Sequence, residues 1–458
     1  MRSAGNRENK VDMLHGPLFG KILLFSLPIT AGSILQQMFN AVDMAVVGRF
    51  ASSEALAAVG ANTPVVMLFL NLFIGISVGS NVLIARYIGQ GDRERISDVV
   101  HTSVVVGIVS GFFLLILSFM LARPLLQLMS TPDNVLDLAV LYLKIYALGM
   151  PFIMVYNFGA AILRSIGDTR RPLYCLVLSG FLNAFLNVIF VAGFHQGVAG
   201  VAVATVISNI LGALMVVIFL LREKSEIRLL PSMLAIHRNE LLGMLWIGIP
   251  AGLQGMVFSF SNVCIQTAIN SFGSDAVAAS AAAVNFEFIC YFAINGFNQA
   301  AVTFISQNYG AGNMERCRKV YRICILSAAV ACLLLNGTIN LFGEQFVRLF
   351  TTSPRVISYA LIRVRYVLLF QWIASSYEVT GSALRGYGYS MIPALLTVFG
   401  TCVLRILWIL TVHAKLHSFP ALMAVYPFTW VVTGIMMIVA YRIITARLET
   451  DKGAPASA

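Results

Sequence analysis

One carboxylate, Asp43, stands inside an apolar run, PITAGSILQQMFNAVDMAVVG from Pro28 to Gly48, that is long enough to cross most of a bilayer. A transmembrane helix needs about 20 largely apolar residues, and a carboxylate within one costs roughly 2.5–3.5 kcal/mol even on a lenient insertion scale. A charge so placed must hold something: a proton, a cation or a partner side chain. Gln36, Asn40 and Asp43 follow at i, i+4 and i+7 and share one helical face, while Pro28 lacks a backbone donor and marks a hinge. The same polar face could also seal one helix against another.

Other runs carry polar stripes at helical spacing. Ser179, Asn183 and Asn187 fall at i, i+4 and i+8, and Thr205 and Asn209 stand four apart in a small-residue run that lets neighbouring helices approach closely. With Asp43 these groups could build one oxygen-rich pocket for a coupling cation. In the second half Glu287, Tyr291, Asn295 and Asn298 or Gln299 recur every turn, as do Gln371, Ser375, Glu378 and Ser382. Asn262, Gln266 and Asn270 form a third line. Lys144, Arg363 and Arg365 lie near span ends, where long side chains snorkel to the headgroups. Arg405 lies deeper, with three readings open: a pair with Glu378, a pair with Glu287, or a reach to the outer surface. Gln36, Asn40, Tyr291, Phe39, Phe258, Phe260, Phe286 and Met256 are candidates to line an adaptable substrate cleft. No metal site is expected beyond sodium at Asp43, since His413 and His417 flank Lys415 without a carboxylate, and the seven cysteines, with no CxxC pair, read as apolar fillers.

The elements that position these residues follow from composition. The chain of 458 residues is 59% hydrophobic and 11% charged, against about 25% charged in soluble domains, so it reads as an all-α polytopic membrane protein of about twelve spans. The polar first 20 residues lead into a span without a cleavage site, so no signal peptide is expected. The net charge of +11 does not point to nucleic acid, because Lys and Arg alternate by loop. With the amino-terminal tail taken as cytoplasmic, that side holds about 22 of the 31 basic residues. Both termini are therefore expected in the cytoplasm, in a bacterial-type inner membrane.

The two halves are copies. ILRSIGDTRRP from Ile162 to Pro172 recurs as ALRGYGYSMIP from Ala383 to Pro393, pairing Arg164 with Arg385, Gly167 with Gly388 and Pro172 with Pro393 at one constant offset. YIGQGDRER meets NYGAGNMER at that same offset, and Pro28 pairs with Pro250 one residue out of step. Six spans per copy make a parallel repeat, which predicts two lobes about an axis along the membrane normal with a cleft that opens to alternate sides. The expected divisions are a tail at 1–17, an N-lobe at 18–222, a linker at 223–239, a C-lobe at 240–447 and a tail at 448–458. The doubled glycines, Gly89 and Gly91 and then Gly310 and Gly312, read as helix C-caps, with Asp92 and Asn313 capping the helices that follow.

FNAVD in the first span, LNAFLN in the fifth, the two LR-x-x-G segments, Pro28 and the glycine loops together resemble the MATE family, the multidrug and toxic compound extrusion transporters, over nearly the whole chain. That resemblance implies export of drug-like, often cationic compounds in exchange for protons or sodium, without a cofactor or enzymatic step. It puts Asp43, Asn183 and Thr205 at the family's N-lobe ion site. Where many members carry a second acid this chain has Asn187, and the position that is tyrosine in some members is Phe39. Glu287 resembles an eighth-span glutamate of part of the family, whereas the seventh-span acid of the sodium-coupled branch has no counterpart near Ser259. The expected protein is a monomeric antiporter of amphiphilic small molecules. The rivals are a flippase of lipid-linked precursors and a non-transporting receptor.

Overall fold

Within lipid a backbone must satisfy its own polar groups, and the long apolar runs do so as helices. The computed structural model describes residues 10–129, 131–348 and 351–453, and no strand occurs among them. Arg2 and Arg7 of the expected amino-terminal tail, and the last five residues of the carboxy-terminal one, lie outside the described residues.

The first half comprises α1 (Leu18–Phe50), α2 (Ser53–Gln90), α3 (Arg93–Leu128), α4 (Asp133–Ala147), α5 (Met150–Ser165), α6 (Arg170–Asn187) and α7 (Gly197–Leu221). The second comprises α8 (Arg238–Asn270), α9 (Ser274–Gly310), α10 (Met314–Leu341), α11 (Gly343–Arg348), α12 (Pro354–Tyr366), α13 (Ala374–Gly386), α14 (Met391–Thr397), α15 (Leu404–Trp408), α16 (Ala414–Leu416), α17 (Phe419–Met423) and α18 (Val425–Gly453). Eleven helical stretches are long and apolar enough to cross a membrane, and α4 with α5, bent by 48°, brings the number to as many as twelve. The chain is a multi-pass membrane protein.

Three spans depart from a plain α-helix. A π-helical turn, Val188–Gly193, continues α6 directly after Asn187. The 3-10 segment Leu368–Ile373 joins α12 to α13, and the π-helical segments Val398–Val403 and Ile409–His413 flank α15, which carries Arg405. Such irregular turns gather where a helix serves function, since they re-aim side chains. Of each glycine pair the second residue makes the turn. Gly91 and Gly312 take φ of 74° and 77°, which an L side chain resists, and Asp92 and Asn313 accept from the backbone N–H of Arg95 and Arg316.

The chain packs as two compact units. One holds the described residues up to Asp12 with Pro28–Gly252, and the other holds Met13–Leu27 with the described residues from Leu253 onward. Two proline-bearing helices thus change unit near their prolines: α1 at Pro28, and α8 two residues past Pro250. In the first unit the leading half of α8 lies hard against α2. A Cβ on Gly75 would come 2.4 Å from the Gly252 nitrogen, and one on Gly79 would come 2.3 Å from the Met244 carbonyl oxygen. Small residues permit that backbone approach, as they do between helices in lipid. In the second unit the leading turns of α1 pack by an edge-on contact of Phe25 with Phe304, rings 5.5 Å apart.

A charged cluster closes the linker end of the first unit. Glu223, just beyond α7, accepts from Lys10 Nζ at 3.0 Å and from Arg171 Nη1 at 2.6 Å. Burial by itself would push its carboxyl up, but the bonds from Arg171, Lys10 and the Lys224 N–H outweigh that and hold it at about 2. A carboxyl depressed on folding adds stability above its unfolded value of 4.5, and that contribution fades as pH falls toward 2. Glu223→Gln is expected to lower the thermal midpoint of the purified protein at pH 7, and the gap from wild type should narrow as pH falls below 4.5 and vanish only as it approaches 2. A gap that stays constant with pH would remove the charge from the account.

Candidate functional site

Asp43 of α1 is joined to α6 and α7 by one run of hydrogen bonds. Asn187 Nδ2 donates to Asp43 Oδ1 at 2.5 Å and also to Asn183 Oδ1, one turn back on α6, at 3.2 Å. Asn183 Nδ2 donates to Thr205 Oγ1 at 3.3 Å, and that hydroxyl donates to the Val201 carbonyl at 2.9 Å. The direction of the bonds decides the chemistry. Both amide hydrogens of the fully buried Asn187 are committed, and its Oδ1 has no hydrogen-bond partner. Beside the carboxylate of Asp43 that single acceptor oxygen lacks a donor, and a proton or a small hard cation shared with the carboxylate would complete it. The π-helical turn begins at the residue after Asn187.

Sequence reasoning passed over two residues here. Tyr142 and Tyr146 of α4, stacked with ring centroids 5.9 Å apart, lie within electrostatic reach of Asp43. Their i, i+4 spacing in an apolar run was the available signal. Ser179 and Asn209, grouped with the site by spacing, point elsewhere: Ser179 donates to the Leu176 carbonyl, and Asn209 lies where a Cβ on Gly149 would touch it. Phe39 packs its ring onto Gly180 of α6 and meets Phe181 edge-on at 5.7 Å. Gln36 and Asn40 are exposed on α1, and Met256 on α8 is half-buried. Pro28 lies within α1 where the helix changes unit.

In the second unit the candidate residues fall into separate groups. Glu287 is held by Arg363 through two bonds, from Nε at 2.6 Å and Nη2 at 3.0 Å, and Gln371 Nε2 donates to the Glu287 carbonyl. Arg363 does not snorkel. It is 4% exposed and bound to Glu287 of α9, one turn before the 3-10 segment that follows α12. Glu378 accepts from Asn298 Nδ2 at 3.3 Å and is coupled electrostatically to Tyr291 and Arg385. Arg385 in turn donates to Gln254 Oε1 at 2.5 Å. Gln266 donates to Asn270 on the exposed face of α8. Arg405 takes none of the three courses open to it from sequence: it is 1% exposed, donates from Nη1 to Asn262 Oδ1 at 3.2 Å, and lies over the rings of Tyr426 and Phe258 at 4.8 and 5.3 Å. All seven cysteines are free thiols.

Comparison with known proteins places the chain in a family. The MatE family model matches residues 28–189 and 250–410, one copy in each half of the chain. "Probable multidrug resistance protein YpnP" of Bacillus subtilis is 27% identical over 396 residues, covering 86% of this chain and 88% of that one. "Multidrug export protein MepA" of Staphylococcus aureus is 25% identical, over 90% and 94% of the two chains. A crystal structure described as MATE in the bent conformation superposes with a TM-score of 0.89 at 25% identity, over 95% of this chain and 97% of the other. Two matched repeats, which together hold Asp43, Asn183 and most of the spans, make this chain a member of the MatE family, a transporter and not an enzyme.

Proposed function

We propose that the protein is a secondary antiporter that exports drug-like, cationic amphiphiles in exchange for protons or sodium by alternating access, with Asp43 as the residue that binds the coupling ion. The observation that carries this reading is the run of bonds from Asp43 through Asn187 and Asn183 to Thr205, which leaves Asn187 Oδ1 without a hydrogen-bond partner. An ion shifts a conformational equilibrium only by binding one state better than another, and a carboxylate that can be neutralised in one state and released in the next supplies that difference. Pro28 is the hinge in this scheme, and Gln36, Asn40, Phe39, Tyr291 and Met256 line the path of the substrate. Glu287, Glu378, Asn262 and Gln266 belong to the second lobe's share of the cycle. The drug-like substrate class is supported by relatives named for multidrug resistance and export. The bias of Lys and Arg supports cytoplasmic termini and linker in a bacterial inner membrane, and we take the lobes to divide at the linker 223–239, with the monomer as transport unit.

Purified protein in liposomes tests the proposal, with uptake of a fluorescent lipophilic cation followed under an imposed proton gradient and, separately, a sodium gradient. Uptake driven by one gradient identifies the ion. Uptake driven by neither, with lipid flipping in its place, moves the function to a flippase.

A further inference from the structure

The short segment that leads into α1 is held in two places. Lys10 Nζ donates to Glu223 at 3.0 Å and to Ser225 Oγ at 3.3 Å, and the Val11 N–H donates to the Gly167 carbonyl at 3.3 Å. The fit at Gly167 is close: with its φ at 86°, a Cβ there would come 2.4 Å from the Val11 carbonyl oxygen. These holds lie wholly in the first unit. The next residues are gripped wholly within the second. Asn308 Nδ2 donates to the Met13 carbonyl at 3.1 Å, and the Arg316 guanidinium donates to the carbonyls of Met13, His15 and Gly16 at 3.1, 2.9 and 3.0 Å.

The two holds differ in kind. The grip on Met13–Gly16 comes from the turn between α9 and α10, and the turn between α2 and α3 has the same duty in the other copy: Tyr87 and Arg95, each 221 residues before Asn308 and Arg316 (308 − 87 and 316 − 95), hold Glu240 near the start of α8. Met13 is 1% exposed, and the chain runs from it into α1 within the same unit. That grip is a fixed base. The hold on Lys10 is more readily undone, because its side chain is 24% exposed and water can take over the ammonium, while Glu223 keeps Arg171 at 2.6 Å. Val11 and Met13 are two residues apart, so their Cα atoms never lie more than about 7 Å from each other. A motion of one unit against the other that exceeds this slack must break one hold, and the wet one yields first.

We propose that Lys10–Asp12 is a latch: it clips onto the Gly167 turn and Glu223 of the first unit and lets go during the transport cycle, while Met13–Gly16 keeps its grip on the second. The latch rests on the antiporter reading for its purpose, but its release is measured without transport. A nitroxide on Val11→Cys is followed in nanodiscs, with Cys264→Ser as background so that the remaining native thiols are all buried. An immobile and a mobile population are expected, and Lys10→Ala should raise the mobile share roughly two- to fivefold, as loss of a partly exposed ion pair does. A single immobile population that Lys10→Ala leaves unchanged overturns the latch. In proteoliposomes, Lys10→Cys and Ser225→Cys are then joined by a cleavable bis-thiosulfonate. Gradient-driven uptake of tetraphenylphosphonium should stop on bridging and return when dithiothreitol cuts the bridge; full uptake by the bridged protein also overturns the latch. Absence of uptake before bridging, under either gradient, sinks the antiporter reading, and the nitroxide populations then decide the latch by themselves.

Discussion

Asp43→Asn is expected to remove the dependence of uptake on the ion gradient while leaving the protein folded. The substitution keeps an oxygen for Asn187 Nδ2 to donate to, so the run of bonds to Asn183 and Thr205 survives. It takes away the charge, and with it the roughly 2.5–3.5 kcal/mol that a carboxylate costs inside a span. Thermal stability should therefore hold or rise. Transport should not. Coupling between two ligands amounts to about 1–3 kcal/mol, or roughly 5–150-fold, and without a group that binds the ion in one state only, that ratio collapses to near one. Proteoliposomes carrying wild type and mutant at equal density measure it directly. Uptake in the mutant at the wild-type rate would make Asp43 a helix-sealing residue. Thr205→Val is the graded companion: it removes the acceptor at the far end of the run but leaves the carboxylate, and a several-fold loss is expected.

The sequence disclosed the spans, the duplication and the residues around Asp43 for a common reason. Each is periodic in one dimension: apolar runs of fixed length, a constant offset between copies, and polar groups one turn apart on α6. Asn183 and Asn187 had to face the same way once the helix existed, and Asp43 was the only carboxylate in its run. What stayed hidden depends on a break in that regularity or on which helices become neighbours. Arg363 looked like a headgroup anchor because a regular tenth span would carry it toward the membrane surface. It is instead buried against Glu287 of α9, a neighbour that the spacing along α12 does not disclose. Arg405 could not be assigned a partner, since its surroundings come from α8 and α18, far apart in sequence, and its own helix is interrupted by π turns that spacing rules do not anticipate. Tyr142 and Tyr146 were overlooked because a tyrosine pair in an apolar run reads as packing until the neighbour carrying Asp43 is known.

Glu287→Gln is expected to produce the largest loss of stability in the second half, because it strands a guanidinium that water cannot reach. Arg363 is 4% exposed and receives its charge balance from Glu287 through two bonds. Removing one partner of a buried pair typically costs about 3–5 kcal/mol, far more than the intact pair contributes over an apolar replacement. The loss should sit at the upper end here, since Arg405 shares the Tyr426 ring and would then face a second unbalanced cation. Replacing both partners, with Glu287→Met and Arg363→Met together, should recover most of the stability, and a double-mutant cycle of thermal midpoints isolates the interaction. The same variants decide what Glu287 does in the cycle. If Glu287→Gln unfolds early while the double variant regains both stability and gradient-driven uptake, the glutamate is a structural counter-ion to Arg363. If the double variant is stable but has lost its dependence on the gradient, Glu287 is part of the coupling machinery and the second lobe carries an ion of its own.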